Sequence, residues 1–303
     1  MDGILPLWKE RGMTSHDCVF KLRKILKTKK VGHTGTLDPE VDGVLPICIG
    51  KATKVVEFLT DTDKAYEGEI TIGVATTTED SQGETIAKAP VAQDLSLAEI
   101  DAAMEAMVGE SIQVPPMYSA VKVNGKRLYE YARQGLTVER PQRTIHVMSF
   151  VRISEPVYHA EEQTMSWSFR VTCGKGTYVR TLAVDLGASL GYPAYMSNLT
   201  RTMSGSFTKE DCLTLQQVAE AMANNDIDAR LKPIDLVFGT YHQVALDDEL
   251  WDKVKNGAVL PKEGPFETMD APVLFTYQDK IVAMYEPHPT KSGFIKPRKM
   301  FLS

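Results

Sequence analysis

The hydrophobic positions of this 303-residue chain follow two different spacings. Alternation of apolar and polar residues predicts strands, and it runs through Ala65–Ala75, Thr144–Ile153 and Met165–Cys173. Apolar residues three and four positions apart predict helices, which are indicated over Leu97–Met107, Tyr178–Leu190 and Leu215–Ala223. A further amphipathic helix is predicted over 21–30, because Thr14 or Ser15 can cap a helix and apolar residues then recur at helical spacing.

Three stretches depart from this regular pattern. Residues 31–50 are rich in glycine and proline and lead toward a strand, which is typical of a functional loop. Residues 114–143 are proline-bounded, basic and short of long apolar runs, so they predict an extended excursion from the core. From about residue 238 short strands are separated by glycine and proline, which predicts a compact β-rich module of about 60 residues.

Composition excludes several classes of protein. With 43% hydrophobic and 24% charged residues, the chain resembles soluble globular proteins, which excludes wholesale disorder and fibrous structure. The longest strongly apolar run, Val44–Ile49, contains a proline and is far shorter than the ~18 residues of a membrane helix, so no membrane contact is expected. The four cysteines lie far apart, without a paired spacing, which favours a reduced cytoplasm.

The charge is unevenly distributed along the chain. A net charge of −6 argues against a protein that coats nucleic acid by bulk charge. Most of the acid, however, lies in residues 61–112 and after residue 210, whereas residues 1–60 and 113–150 are net positive. Residues 21–30 alone hold six bases and no acid, and they predict either a solvated helix face or a surface for phosphates.

Common phosphate and metal motifs are absent or weak. Gly50-Lys51 does not satisfy the P-loop pattern, because Leu45 stands where glycine is required and Ala52 where Ser or Thr is required. The turn at 174–177 precedes a predicted helix and could receive a phosphate on its free N–H groups, although many such turns bind nothing. The six histidines show no ligand spacing, so no metal is expected.

Asp38 is the strongest candidate for a reactive side chain. It precedes Pro39, which favours an extended conformation, and nearby glycines let the backbone fold tightly around it. An aspartate in such a loop can project into a site, but a lone Asp-Pro is more often a turn whose carboxylate bonds its own backbone.

The surrounding motifs decide between these two interpretations. The chain resembles the bacterial tRNA pseudouridine synthase B family across about residues 5–240. The resemblance is carried by six blocks in the family's order: Gly32–Pro46, Lys64-Ala65-Tyr66, Pro115–Lys122, Gly125–Glu130, Cys173–Arg180, and Leu199-Thr200-Arg201 with Gly205-Ser206-Phe207.

The resemblance implies a fold and an activity. The fold would be the α+β pseudouridine synthase fold, a mixed and largely antiparallel central sheet flanked by helices and loops. A catalytic domain would span 1–238 and a small PUA-like RNA-binding domain 239–303. The enzyme would convert the uridine at position 55, in the T loop of tRNA, to pseudouridine by flipping the base, breaking its C1′–N1 bond and joining C1′ to C5. It would need no cofactor or metal and would act as a monomer on the T-arm stem-loop.

The resemblance also assigns roles to individual residues. Asp38 would be the essential carboxylate, acting as nucleophile or base, and Arg180 would pair with it. Tyr66 would stack on the target base, with Tyr178 nearby and Leu199 lining the uracil pocket. His33 would fill the space that the flipped bases leave. The basic side chains expected to contact the RNA backbone are Lys29, Lys30, Lys122, Lys126 and Arg127.

Two departures from the family pattern and two alternative functions remain. Glu10 replaces a common proline, and Asp42 stands where a small residue is commoner, so modest effects on RNA affinity or pH dependence are expected. The alternatives to the synthase are a non-catalytic tRNA-binding chaperone and a hydrolase that releases free uracil.

Overall fold

A computed structural model describes residues 1–239 and 241–301 as a mixed α+β structure. The helices are α1 Ser15–Ile25, α2 Val56–Thr60, α3 Leu97–Glu105, α4 Leu128–Arg133, α5 Val179–Ser189, α6 Leu215–Ala223, α7 Ile227–Arg230 and α8 Asp248–Val254. Short 3₁₀ segments lie at Gly50–Val55, Lys209–Asp211, Ile234–Phe238 and Gly264–Phe266. Within these described ranges, no helix is long and apolar enough to span a membrane.

The strands of the first half of the chain are β1 Gly3–Lys9, β2 Val31–His33, β3 Asp42–Ile49, β4 Lys64–Ile72, β5 Val74–Thr76, β6 Thr85–Lys88, β7 Gly109–Gln113, β8 Lys122–Val123, β9 Lys126–Arg127 and β10 Arg143–Arg152. The second half contributes β11 Val157–His159, β12 Thr164–Cys173, β13 Ala194–Ser204, β14 Phe207–Thr208, β15 Gln243–Ala245, β16 Leu260–Pro261, β17 Val273–Tyr277, β18 Lys280–Pro287 and β19 Phe294–Met300.

A central sheet with the strand order β1-β3-β13-β4-β12-β10-β7 forms the framework. Neighbouring strands along this path are antiparallel, except that β13 pairs with β3 in parallel. The predicted mixed, largely antiparallel sheet is therefore confirmed. Helices α1, α3 and α5 contribute apolar residues to the main core against this sheet, among them Leu22, Ile100 and Leu182.

Alternation along β3 buries both of its faces. Leu45, Ile47 and Ile49 join the main core, whereas Val44 and Cys48 join a second cluster on the other side. A strand with two covered faces reads as a continuous apolar run, which is why 44–49 was the longest such run in the sequence.

Two glycines let the central strands approach closely. Gly43 has φ of +127°, and a Cβ there would collide with the backbone of Arg201 on the parallel strand β13. A Cβ at Gly68 on β4 would collide with the Asn198 carbonyl and the Leu199 side chain. These two positions bring the residues of three strands together at one end of the sheet.

The structure corrects the prediction of one helix over 21–30. Helix α1 ends at Ile25, and Lys27 adopts a left-handed conformation with φ of 52°. The Thr28 N–H donates to the Arg23 carbonyl at 3.3 Å, which closes the helix end in a Schellman arrangement. Lys29 and Lys30 therefore lie on the exposed connection to β2 and not on a helix face.

The predicted excursion at 114–143 holds the β8–β9 hairpin and α4, and neither hairpin strand pairs with the central sheet. Leu128 is its buried anchor. Near its ends, the Arg140 guanidinium donates to the Pro115 carbonyl at 3.1 Å. The segment is thus attached at its base and exposed along its basic hairpin.

The C-terminal strands form a separate five-stranded sheet in the order β15-β17-β18-β19-β16. It is joined to the rest of the chain by the second apolar cluster, which includes Phe238, Leu274 and Met284 together with residues of β3. An ion pair between Lys299 and Glu57, at 2.9 Å, adds to this contact. The β-rich character expected after residue 238 is observed, and the boundary between 238 and 239 stays a prediction.

Basic side chains near the C-terminal end are partly neutralised. Lys296 and Arg298 both lie within 4 Å of Glu286, at 3.2 and 3.9 Å. Lys299 forms an ion pair with Glu57. The charges of these three side chains are therefore partly compensated within the fold.

Candidate active site

Asp38 lies on the loop between β2 and β3, and the loop is fixed on both sides of it. The Leu37 N–H donates to Ser15 Oγ at 2.9 Å. The Pro39 carbonyl accepts from the buried Lys9 ammonium at 3.0 Å and from the Gly12 N–H at 2.9 Å. With its neighbours bound to other elements, the Asp38 side chain is free to project, and it is 40% exposed.

The Asp38 carboxylate pairs with Arg180 in a side-on geometry. Arg180 Nε lies 3.0 Å from one carboxylate oxygen and Nη2 lies 3.4 Å from the other. Arg180 is the second residue of α5 and is only 5% exposed, so its guanidinium comes from the interior and meets a carboxylate at the surface of the cavity. A planar guanidinium in this position fixes the carboxylate plane.

Backbone carbonyls hold Arg180 from its other sides. Its Nη1 donates to the Thr78 carbonyl at 2.8 Å, and its Nη2 donates to the Tyr118 carbonyl at 2.9 Å. Asp80 lies 3.9 Å from Nη1 and is a second, more distant carboxylate. The guanidinium thus connects the loop after β5, the excursion and the Asp38 loop.

The start of α5 is held by a buried amide. The Gln113 side chain donates to the Tyr178 carbonyl at 3.1 Å and accepts from the Tyr178 N–H at 2.8 Å. Tyr178 is the N-cap residue of α5, so this exchange fixes the direction in which Arg180 leaves the helix. No sequence signal pointed to Gln113, because an isolated glutamine carries no motif.

Burial raises the pKa of Asp38 from its ordinary value, and the Arg180 charge opposes this shift. The nearby Asp80 adds to the increase. The ionised form is consequently less stable here than in water, which makes the carboxylate a stronger base than a solvated one.

Asp38 faces a cavity of about 360 Å³ whose floor is the central sheet. Tyr66 on β4 and Leu199 on β13 lie on this floor, and Tyr178 lies on the wall beside Arg180. The guanidinium of Arg143 lies 5.9 Å from the Tyr178 ring centroid. The cavity therefore brings together a carboxylate, its arginine, two tyrosines and an apolar surface.

The turn at 174–177 contributes to the same cavity. Gly174, Gly176 and Thr177 line its wall. The Thr177 hydroxyl donates to the Gly174 carbonyl at 3.1 Å, so the turn is braced from inside. Its capacity to bind a phosphate stays a prediction.

His33 does not line this cavity. It lies at the end of β2, five positions before Asp38, and burial lowers the pKa of its imidazole. Its Nδ1 is buried and has no hydrogen-bond partner among residues 1–239 and 241–301. A neutral ring is compatible with the stacking role that the family resemblance implies, and that role stays a prediction.

The five predicted backbone contacts are all exposed. In the excursion, Lys126 lies over the Tyr131 ring at 5.9 Å and Arg127 over the Tyr129 ring at 5.8 Å. Lys122 is the register partner of Arg127 in the β8–β9 hairpin. These basic side chains are accessible to an RNA backbone, as are Lys29 and Lys30 on the connection before β2.

Asp42 and Glu10, the two departures from the family pattern, have different surroundings. Asp42 accepts from Arg11 at 3.1 Å and from the Thr200 hydroxyl at 2.6 Å, so its charge is compensated locally. Glu10 is exposed, and its carbonyl accepts from the Lys9 ammonium at 3.1 Å. Neither side chain replaces a group of the Asp38–Arg180 pair.

Three buried cations near Asp38 were not among the predicted site residues. Lys9, Lys64 and Arg201 are all buried, and each donates to backbone carbonyls. Lys64 and Arg201 line the cavity itself. Both belong to motifs that the sequence contains, but a lysine or arginine on a strand gave no reason to expect burial.

Two family descriptions match adjoining parts of the chain. Residues 23–179 match the TruB family pseudouridylate synthase N-terminal domain, and residues 180–238 match the tRNA pseudouridylate synthase B C-terminal domain. The junction lies between Val179 and Arg180, at the first turn of α5.

Curated relatives match over the whole length. The chain is 54% identical over 302 residues to the tRNA pseudouridine synthase B of Listeria innocua, which covers 99% of this chain and 98% of that protein. It is 52% identical over 302 residues to the enzyme of the same name from Halalkalibacterium halodurans, with 99% and 97% covered. The Bacillus subtilis protein of this name is 49% identical over 305 residues, with 100% and 98% covered.

Two solved structures resemble the chain over almost its whole length. A chain in the crystal structure of a Cbf5-Nop10-Gar1 complex has a TM-score of 0.72 and 27% identity, over 99% of this chain and 85% of that one. A chain in an H/ACA RNP bound to a substrate RNA containing 2′-deoxyuridine has a TM-score of 0.70 and 26% identity, with 99% and 85% covered.

Proposed function

The chain belongs to the TruB family of pseudouridylate synthases, and from this premise we propose that Asp38 is its catalytic carboxylate and the T loop of tRNA its target. The protein is an isomerase that converts uridine in tRNA to pseudouridine. A binding role without catalysis is not favoured. What remains to be tested is which residues act and which uridine is chosen.

The Asp38–Arg180 pair is the observation that carries the proposal. Isomerisation needs an ionised carboxylate beside C1′ and C2′ of the ribose while the base leaves. Arg180 keeps Asp38 oriented, and the fixed loop ends keep it at the cavity wall. This position at the cavity wall would serve the carboxylate equally well as a nucleophile or as a base.

The base would lie on the sheet floor of the cavity. A uridine within a folded RNA loop is reached by flipping it out, and flipped bases are held by stacking on aromatic rings. Tyr66 would stack on the uracil, Leu199 would line its edge and Tyr178 would close the pocket beside Arg180. His33, outside the cavity lining, would occupy space that the RNA vacates.

Phosphate contacts would hold the T-arm stem-loop in register. Such contacts position an RNA, whereas contacts to the base specify the target. Our candidates for these phosphate contacts are the exposed basic side chains of the β8–β9 hairpin and of the connection before β2. The PUA-like sheet after residue 238 would extend the RNA-binding surface of the catalytic domain 1–238.

One copy of the chain would be sufficient for the reaction. Action as a monomer is what the family resemblance implies, and it is part of this proposal. In this proposal the side chains named above carry out the reaction without a cofactor. The four cysteines carry free thiols, which supports a cytoplasmic location.

Mapping of pseudouridine on unmodified tRNA tests the proposed target. The purified protein is incubated with the full-length transcript, with an isolated T-arm stem-loop, and with a stem-loop whose target uridine is replaced by cytidine. We expect one pseudouridine at position 55 in the first two RNAs and none in the third. Modification elsewhere in the tRNA would contradict the T-loop assignment and leave the isomerase activity intact.

Removal of the Tyr66 ring should affect turnover more than binding. Base stacking on an aromatic ring contributes about 1–3 kcal/mol, so Tyr66→Ala should slow single-turnover pseudouridine formation about 10- to 100-fold. The affinity for tRNA rests mainly on phosphate contacts and should change less than about threefold. Rapid-quench assays and filter binding measure the two quantities.

The conservative variant Tyr66→Phe is the control, because it keeps the ring and removes the hydroxyl. It should retain a rate within about threefold of the wild type. A pure loss of affinity in Tyr66→Ala, with normal single-turnover rate at saturation, would contradict the stacking assignment.

Charge reversal before β2 should weaken tRNA binding and flatten its salt dependence. Each phosphate contact contributes about 0.7–0.9 to the slope of log affinity against log salt, so the double variant Lys29→Glu, Lys30→Glu should lower the slope by about 1.4–1.8. Binding is measured by filter retention between low and moderate salt. Lys88→Glu, on the exposed strand β6, is the control and should leave the slope unchanged. An unchanged slope in the double variant would make these lysines part of a solvated surface only.

A further inference from the structure

Two buried cations lie on the cavity floor beside the residues proposed to hold the base. Lys64 is 6% exposed and Arg201 is 1% exposed. Lys64 precedes Tyr66 by two positions on β4, and Arg201 follows Leu199 by two positions on β13. Residues two apart on a strand point to the same face, so all four face the cavity. Arg201 and Tyr66 are also register partners across the two strands.

Neither cation is neutralised by a carboxylate. Lys64 Nζ donates to the carbonyls of Thr60, at 2.6 Å, and Thr62. Arg201 Nε donates to the Val44 carbonyl at 2.7 Å. Within the part of the chain that the structure describes, neither side chain has a carboxylate oxygen within 4.0 Å.

Such an arrangement is costly in an empty cavity and useful in an occupied one. A buried charge without a partner opposes folding. The same charge, fixed in place before the reaction, strongly stabilises an anion that forms next to it. The excess of positive charge on this floor therefore points to a ligand that becomes negative there.

The reaction itself creates such a charge. When the C1′–N1 bond breaks, its electron pair leaves with the uracil, and the negative charge spreads over the ring and its O2 and O4 atoms. When C5 then bonds to C1′, the base is neutral again, and the C5 proton finally leaves as N1 takes up a proton. The negative charge thus exists only between the two steps, at the place where the base lies.

We propose that Lys64, together with Arg201, stabilises the negative charge on the uracil while it is detached from C1′. This inference rests on the proposed positions of the base over Tyr66 and beside Leu199. Lys64 would be a catalytic residue that contacts the detached base, and it would contribute little to binding of the intact tRNA.

The protonation of Lys64 gives a second observable. Burial lowers the pKa of its ammonium to about 8, and the charge of Arg201 contributes to this decrease. The other titratable groups that act on it, in the opposite direction, are Cys173, Asp61 and Asp63. Because only the ammonium stabilises an anion, the rate should fall as the pH rises through about 8. Lys64→Arg should move this fall to higher pH, since a guanidinium stays protonated.

A comparison of leaving groups tests the proposal. Unmodified tRNA carries either uridine or 5-fluorouridine at the target, and loss of the target nucleoside is followed in single turnovers with enzyme in excess. Fluorine at C5 blocks the final proton loss but not departure of the base, and it stabilises the departing anion. Lys64→Met should slow loss of uridine about 100-fold, as removal of one preorganised donor does. With 5-fluorouridine, the reduction in rate caused by Lys64→Met should be smaller by about fivefold or more. Lys64→Arg should recover most of the rate.

Each other outcome has a definite meaning. An equal reduction in rate on both substrates would give Lys64 a structural role and overturn the proposal. A decrease confined to tRNA affinity would also overturn it, because it would indicate a phosphate contact. Lys88→Met is the control for loss of one lysine. If the wild-type protein did not convert the target uridine, the proposed target would be contradicted. The role proposed for Lys64 depends on that target and would be contradicted too. Unfolding is checked by thermal melting.

Discussion

Replacement of Asp38 with asparagine should abolish pseudouridine formation, reducing the single-turnover rate by at least about 10⁴-fold. Asparagine has nearly the same shape, but it can neither attack C1′ nor remove a proton from C2′. Binding of tRNA should change little, because the RNA is held mainly through phosphates elsewhere. The rate is measured by nucleoside analysis after digestion, and the affinity by filter binding on the same preparation.

The same variant should not lose stability. Because folding raises the pKa of Asp38, the native state favours the protonated form, and at neutral pH the ionised carboxylate opposes folding. This cost is absent below the ordinary aspartate pKa and is complete once the pH exceeds the raised value. The uncharged asparagine side chain would carry no such cost, so the melting temperature should stay the same or rise.

Asp94→Asn is a matched control on an exposed loop, and it should alter neither rate nor melting temperature. Undiminished pseudouridine formation by the Asp38 variant would remove that residue from the mechanism. A large loss of stability would instead show that the Asp38–Arg180 pair mainly supports the fold.

Replacement of Arg180 with methionine should reduce both activity and stability. The Thr78 and Tyr118 carbonyls would lose a charged donor, and Asp38 would lose the cation that opposes its raised pKa. We expect a loss of about 3 kcal/mol in the free energy of unfolding. The turnover rate at neutral pH should fall by about 100-fold or more.

The pH profile separates the catalytic effect of Arg180 from the structural one. Activity needs an ionised Asp38, so kcat/KM falls as the pH decreases through the pKa of that carboxyl group. Without Arg180 this pKa rises further, and the acid limb of the profile should move to higher pH. The Arg180→Lys variant keeps the charge but not the side-on pairing, and it should give an intermediate profile.

Arg170→Met is the control for loss of an arginine, because Arg170 pairs with Glu67 at the surface and should contribute less than about 1 kcal/mol. An Arg180→Met protein with an unmoved acid limb would show that Arg180 does not tune Asp38, even if its stability were lower.

The sequence predicted the long elements of the fold correctly because their patterns are local. Helices α5 and α6 and strands β10 and β12 lie within a residue or two of their expected ranges. The error at 21–30 has a local cause too: a lysine in a left-handed conformation ends α1, and nothing in a run of basic residues indicates that conformation. Strand order, by contrast, depends on pairings between distant segments, and no sequence pattern predicted it; the family resemblance supplied only the mixed, largely antiparallel character of the sheet.

The candidate site was predictable to the extent that motifs name residues. Asp38 and Arg180 were expected to pair, and they lie 3.0 Å apart. The carbonyls of Thr78 and Tyr118, which hold Arg180, could not be predicted because backbone groups leave no trace in residue identity. Gln113 and the buried Lys64 were missed for a related reason, since their burial depends on how three strands and one helix meet.

The second apolar cluster contains residues from both ends of the polypeptide, which are synthesised at different times. Ile4 on the first strand and Phe301 beyond the last one belong to the same cluster. A ribosome makes the first of these residues long before the second, so this cluster stays open until synthesis is nearly finished. Until then the part of the cluster that Leu274, Met284 and Phe301 cover in the finished fold stays open, and exposed apolar surface promotes aggregation. The chain would therefore depend on chaperones during its synthesis more than a protein whose early strands complete their own core.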